Sequence, residues 1–332
     1  MSPAVSIVMP VYKGVRFLRE ALASVRAQTF GDWECLCVDD GSKDGSGALL
    51  DELAAGEPRI RVFHRPNGGT SVARNFALSQ ATGRYVAFLD EDDVYHPRLL
   101  EVLYGAAERT GAEVVGCEFL KFPEDRSPAW PDEPIPDAAS ARHADRTRLR
   151  DWIASYYDGV PFEVWRNLYR RELIADHEFP RGIRVEQDLY WQYTLLPKVS
   201  SYVRLPWTGY AWRASSIGGF LHPDAESVIS LPQTNRVVLE TLSHVGLSPA
   251  QTASLADRMS RFLGWCVWRP LHDGLALSVP EARRLRAALA ALKPYGVSVE
   301  RTLSVRKLLA WKLFLLTGRV GWVHTRKRSS PT

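Results

Sequence analysis

The sequence predicts an α/β fold, a mainly parallel sheet flanked by helices, followed by an all-helical C-terminal region. Three observations predict it. Through the first 120 residues short apolar runs alternate with segments of helical periodicity, the pattern of βα units. Polar loops close those runs at the ends where such sheets gather their ligand-binding loops. Beyond Ser227 the apolar spacing is helical throughout, with helices expected at about 226–244, 249–272, 280–293 and 299–324.

Taken in order, Val5–Met9 is a first strand, and Leu18, Ala21, Leu22 and Val25 then share one helical face. Glu34–Val38 is a second strand, ending in Asp39-Asp40-Gly41-Ser42. Ile60–His64 is a third, followed by Asn67-Gly68-Gly69 and a helix from about Ser71. Tyr85–Leu89 is a fourth and runs into the acids Asp90, Glu91, Asp92 and Asp93. Leu99, Val102, Leu103 and Ala106 mark another helical face, and Glu113–Phe119 is a fifth strand. From Pro123 to Asp145 the composition is that of a loop, rich in Pro, Asp, Ala and Ser. Regular structure returns near Arg146. The division that follows is a domain at 1–222 and a helical region at 223–332.

A chain of 332 residues with 45% hydrophobic content can bury a large core, so intrinsic disorder is excluded as the general state. Cys35, Cys37, Cys117 and Cys266 have no paired metal-ligand spacing and read as buried free thiols in a reducing compartment. The apolar pattern begins at Val5, which leaves no room for a signal peptide, so the expected site is cytoplasmic. Net charge is +4, yet eight Lys and Arg and no acid lie in Arg301–Thr332, so the preceding 300 residues carry −4.

The acid quartet is the strongest chemical signal. Carboxylates this close repel and raise one another's pKa, so a cluster at the end of a buried strand calls for a cation. Oxygen-only ligands suit Mg²⁺ or Mn²⁺, which bind through one or two carboxylates plus substrate phosphates. The plainer alternative is a solvated turn that starts the next helix. Neither a Gly-x-Gly-x-x-Gly after the first strand nor a P-loop occurs, which argues against a dinucleotide enzyme and a P-loop phosphotransferase. Pro10-Val11-Tyr12 offers an aromatic face, Asp39 and Asp40 offer acceptors for a base N–H or a ribose hydroxyl, and a metal at Asp92 would meet an attached diphosphate. The set fits a nucleoside-diphosphate donor.

Val5 to Tyr12 (Val-Ser-Ile-Val-Met-Pro-Val-Tyr), Gln28-Thr29-Phe30, Val38 to Ser46, Asn67-x-Gly69 with Ala73-Arg74-Asn75, and Phe-Leu-Asp-x-Asp-Asp at 88–93 resemble family 2 glycosyltransferases of the GT-A fold. A looser likeness continues through Leu168 to Leu173, Glu186-Gln187-Asp188 and Arg213-x-x-Ser216. The resemblance implies that Pro10, Tyr12 and Asp40 hold the base, with Val11 and Asp39 beside them. Asp90 and Glu91 would approach the ribose and diphosphate, and Asp92, with Asp90, would hold Mn²⁺ or Mg²⁺. Arg74 falls where the family has an Arg facing the nucleotide; bridging helix and loop is its alternative role. Asn67 and Gly69 shape their loop, and Asp93 is expected to start a helix and organise the acid loop through backbone N–H groups.

Displacement at an anomeric carbon needs a base beside the incoming hydroxyl. The family presents Glu-Asp at a helix start, and the matching pair here is Gln187-Asp188. Asp188 is the expected base and Glu186 the reserve candidate; an N-cap role is the structural alternative for Asp188. Arg213 and Ser216, near the hinge-capable Gly218-Gly219 pair, resemble a loop that closes over the donor, the Arg pairing with a diphosphate. His222 is a candidate extra metal ligand or a packing residue. Trp165, Arg166, Tyr190, Trp191, Tyr193, Trp207 and Trp212 offer stacking surfaces for an acceptor sugar or fill the core.

In the tail, Val305, Leu308, Leu309, Leu313, Leu316 and Val320 share a face flanked by Lys and Arg. Residues 301–328 therefore read as an in-plane helix at the inner face of a membrane or as a helix packed on the protein. Nucleic-acid binding is disfavoured, because the basic residues border a broad apolar face instead of a stacking groove. The expected activity is inverting, metal-dependent transfer from a nucleotide-sugar, a UDP-sugar by the resemblance, to a glycan or lipid-linked acceptor. The alternatives are a nucleotidyltransferase, for which Pro10 to Gly14 is a poor loop, and a sugar-nucleotide-binding protein without catalysis.

Overall fold

The computed structural model describes residues 2–136, 141–145, 149, 163–183, 186–214, 224–272, 275 and 277–299. Those within 1–153, 157–183 and 187–216 form one compact unit; Glu186 and those beyond 217 belong to a second. Ser216, Gly218, Gly219, His222 and the tail 301–328 lie outside the described residues.

The first unit is built on a nine-stranded sheet in which β3 (Ile60–His64), β2 (Trp33–Asp39), β1 (Val5–Val11) and β4 (Tyr85–Phe88) run side by side in parallel. The three inner strands are buried along their whole length, as expected of strands covered on both faces. Between them stand α1 (Leu18–Arg26), α2 (Ser46–Ala54) and α3 (Thr70–Gln80). The buried face of α1 carries Leu18, Ala21, Leu22 and Val25, as its spacing predicts, and α3 packs on β1 and β2.

β1 is longer than expected and takes in Pro10 and Val11, which pair with Val38 and Asp39. A proline is tolerated there because β4 pairs with β1 only as far as Val8, so no partner awaits the missing N–H. Strands β1, β2 and β3 advance in one direction while β4 joins β1 on the other side. The β1/β4 boundary is a topological switch point, where such sheets open a ligand crevice.

The other half of the sheet is mixed. β5 (Val94–Tyr95) follows the acid loop, α4 (Leu99–Thr110) ends at Gly111 with a left-handed φ of 69°, and β6 (Val114–Pro123) follows. β7 (Arg142–Asp145) is a strand within the stretch expected to be loop; it pairs with β9 (Ser201–Ala214), a partner whose position its composition does not encode. β8 (Asn167–Arg170) enters antiparallel between β4 and β6, and β9 lies parallel to β6 and antiparallel to β5. A one-turn helix α5 (Arg171–Ile174) and α6 (Gln187–Leu195) complete the unit.

In the second unit α7 (Ala225–Ser243), α8 (Pro249–His272) and α9 (Val279–Ala290) begin and end close to the expected limits. Asp224 caps α7 by accepting from the Ser227 N–H at 2.8 Å, and Ser278 with Glu281 forms a capping box on α9. Val228, Val238, Met259, Leu263 and Leu285 are fully buried. No described helix is long and apolar enough to cross a membrane.

Candidate active site

The site grows from the carboxyl ends of β1, β2 and β4. At the end of β2, Asp39 and Asp40 turn inward, with 5% and 3% of their surface exposed. Asp39 accepts from the Ser42 N–H at 3.0 Å and pairs with His64 Nδ1 at 3.1 Å. Asp40 accepts from the Gly68 and Gly69 N–H groups at 2.7 and 2.8 Å and from Asn67 Nδ2 at 3.1 Å. Both oxygens of each carboxylate thus have protein partners, and as acceptors with two lone pairs each they keep capacity for a further donor. Asn67 Nδ2 also donates to the Asp40 carbonyl at 2.9 Å. Pro10 and Val11 are buried in the sheet, so of this group Tyr12, 42% exposed, is the side chain that presents a surface. Its N–H donates to Glu91 Oε1 at 3.2 Å, tying the end of β1 to the acid loop.

The acid loop is held from β9. Asp93 is buried and accepts from the Arg213 N–H at 2.8 Å and the Tyr210 hydroxyl at 2.7 Å. It starts β5 instead of a helix, and its carboxylate receives the backbone of a distant strand, not of its own loop. Tyr210 is in turn stacked on Trp165, 4.2 Å between ring centres. The Arg213 side chain is 2% exposed. Its Nε donates to the Asp92 carbonyl at 2.6 Å, Nη2 pairs with Glu20, and the rings of Phe122 and Phe17 lie 4.3 and 4.5 Å from the guanidinium carbon. In this structure the Arg213 guanidinium, expected to pair with a diphosphate, is engaged by Asp92, Glu124 and Glu20 and so ties the acid loop to β9. The alternation of β9 could have flagged Tyr210 as an inward residue, but its partner Asp93 was beyond reach of any local pattern.

Burial and mutual repulsion raise the loop acids. Glu91 is pushed up to about 8 by burial and by the charges of Asp92 and Asp90, and Asp92 up to about 6 by burial and Asp90. Clustered carboxylate oxygens of this kind are chemically suited to a hard divalent cation, and Asp90 and Asp92 are the candidate ligands. Among the described residues no group of three or more His, Cys, Asp or Glu is arranged to hold a metal alone.

Asp188 lies in the first turn of α6 and is joined to the loop by Arg74 of α3. Arg74 is 3% exposed; Nη1 pairs with Asp188 Oδ1 and Nη2 with Asp90 Oδ1 at 2.7 Å. Burial, reinforced by Asp90 and opposed by Arg74, raises the Asp188 carboxyl to about 6. Arg74 thus bridges α3 to both the acid loop and α6 in this structure. Gln187 donates from Nε2 to the Ile183 carbonyl at 2.9 Å. Glu186, the reserve candidate, has a left-handed φ of 63° and belongs to the second unit. Of the aromatic group, Trp165, Trp191, Tyr193 and Trp207 are buried with Arg166, leaving Tyr190 and Trp212 part-exposed.

Comparison with known proteins places this geometry. The uncharacterized glycosyltransferase EpsJ of Bacillus subtilis (strain 168) is 35% identical over 191 residues, 57% of this chain and 54% of EpsJ, so the chain spans about half of that relative. The putative glycosyltransferase EpsH of the same organism is 29% identical over 248 residues, 72% of this chain and 70% of EpsH. Among solved structures, S. aureus TarS 1-349 in complex with UDP-GlcNAc superposes with a TM-score of 0.69 at 17% identity, covering 96% of this chain and 93% of that one. The mannosyltransferase PcManGT of Pyrobaculum calidifontis, in complex with GDP-Man and Mn²⁺, gives 0.55 at 20% identity, covering 96% and 88%. The family model of glycosyl transferase family 2 matches residues 6–175, the span that runs from β1 through the acid loop to α5, and this protein belongs to that family.

Proposed function

We propose that the protein is an inverting glycosyltransferase that moves a sugar from a nucleotide-sugar, a UDP-sugar, to a hydroxyl of a surface-glycan, glycolipid or polysaccharide acceptor. One observation carries the reading: Arg74 brings the Asp188 carboxylate and the acid loop to a single guanidinium, so a base and a leaving-group site share one crevice. The acceptor oxygen attacks the anomeric carbon, its proton passes to Asp188, and the bond from the sugar to the diphosphate breaks, releasing the nucleoside diphosphate. One displacement with one base inverts the anomeric centre. Asp90 and Asp92 would hold Mn²⁺ or Mg²⁺, which when bound stabilises negative charge on the departing diphosphate. The UDP-GlcNAc of TarS and the Mn²⁺ of PcManGT support that donor class and that ion. The four cysteines are free and buried, in keeping with a cytoplasmic site.

The test is release of nucleotide from a panel of UDP-, GDP- and dTDP-sugars with Mn²⁺, Mg²⁺ or EDTA, wild type beside Asp92→Asn. Release from one donor, abolished by EDTA and reduced about 100-fold or more in the variant, is expected. Absence of both release and calorimetric binding of UDP with Mn²⁺ would overturn the reading.

A further inference from the structure

Arg74 has a second consequence for the site. Its neighbour Asn75 grips the backbone of Phe179 from both sides, donating to its carbonyl at 2.9 Å and accepting from its N–H at 2.7 Å. Phe179 lies 5.1 Å from the Arg74 guanidinium carbon and stacks on Trp191 of α6, ring centres 4.9 Å apart and planes 9° from parallel. Two consecutive residues of α3 therefore hold the helix that carries Asp188, one through packing and one through charge. The Arg74 Nε is buried and has no hydrogen-bond partner among the described residues, where the guanidinium is oriented by its two carboxylates and the ring beside it. A guanidinium is a rigid planar fork, so carboxylates on two of its nitrogens cannot move independently.

We propose that Arg74 is a positioning residue for the base: it holds one oxygen of Asp188, leaves the other for proton abstraction, and ties that position to the donor loop through Asp90. This rests on the reading of Asp188 as base, and it differs from a direct contact between Arg74 and the nucleotide. Burial alone favours the neutral acid at Asp188, and the adjacent cation keeps the carboxylate ionised.

The experiment compares Arg74→Lys and Arg74→Ala, each alone and combined with Asp188→Asn, using the donor that the wild type hydrolyses. Lysine keeps the charge but cannot span both carboxylates, so it serves where the alanine variant fails to fold, as judged by thermal unfolding. Expected are a loss of saturated nucleotide release of about 100-fold, the scale of a 1 Å misplacement, and affinity for UDP with Mn²⁺ within about threefold of wild type. In the Asp188→Asn background the further loss should be under about threefold, since the position being held no longer matters. A tenfold loss of UDP affinity at unchanged saturated rate, or full additivity with Asp188→Asn, would overturn the proposal. Crystal structures of wild type and Arg74→Lys give a readout independent of activity. Displacement of the Asp188 carboxylate supports the proposal and an unmoved carboxylate sinks it. If the wild type neither releases nucleotide from any donor nor binds UDP with Mn²⁺, the functional reading fails by itself, and those structures still decide whether Arg74 positions Asp188.

Discussion

Arg213→Met separates a donor clamp from a loop fastener, because the two roles place its energy in different states of the protein. The side chain is 2% exposed and makes its contacts without any ligand. Its charge-assisted bond to the Asp92 carbonyl at 2.6 Å contributes about 1.5–3 kcal/mol. The rings of Phe122 and Phe17, at 4.3 and 4.5 Å, add about 0.5–1 kcal/mol each. The pair with Glu20, whose side chain is one-third exposed, is worth about 1 kcal/mol or less after screening. Methionine refills part of the space, so the net loss should be about 3–5 kcal/mol, or about 6–20 °C in the melting temperature of a unit this size. Urea unfolding of the metal-free, nucleotide-free protein measures it, and donor release should fall as the acid loop loosens. Unchanged stability, within about 0.5 kcal/mol, together with a tenfold loss of UDP affinity would refute the reasoning and restore Arg213 as a diphosphate ligand.

Three further outcomes follow from the same contacts. Asp188 must be ionised to accept a proton and its carboxyl is raised to about 6, so the donor-saturated rate should climb through about pH 6 to a plateau, falling tenfold per unit below it; a flat profile from pH 5 to 8 would remove Asp188 as base. Near the amino end of β2, away from the site, Glu34 accepts from the Ser6 hydroxyl at 2.7 Å, the Thr82 N–H at 2.8 Å and Arg61 at 3.1 Å. Burial pushes its carboxyl up, but these bonds outweigh it and hold it below the usual range. Its stabilisation is therefore complete above the unfolded value of about 4.3 and is lost as pH falls through the folded one. Glu34→Gln should cost about 1–3 kcal/mol at pH 7, with the gap to wild type closing below about pH 4 in urea titrations and donor release per folded molecule unchanged. Gly116→Ala places a methyl against Asn167 Oδ1 and the Tyr202 hydroxyl, which share a 2.6 Å bond, and should cost about 1–3 kcal/mol in thermal unfolding.

Much of this protein was legible before folding. The strands β1 to β4, the helices α1 and α3 and α7 to α9 follow from apolar spacing, since that spacing is the buried face itself. The acid loop announced itself because an apolar strand ends abruptly in four carboxylates, and Asp188 because Gln187-Asp188 matches the Glu-Asp pair of the family that the sequence resembles. What each charge touches was decided by the tertiary structure alone. Arg74 meets Asp188 across 114 residues, and Arg213 meets the Asp92 carbonyl across 121, because the strand order β4-β8-β6-β9 brings distant segments together. Asp39 and Asp40 meet N–H groups of adjacent loops, and Arg213 meets Asp93 through its backbone and Glu20 and two phenylalanines through its side chain. Local periodicity records which side of an element is buried; a buried charge takes its partner from the chain topology, and its role comes with that partner.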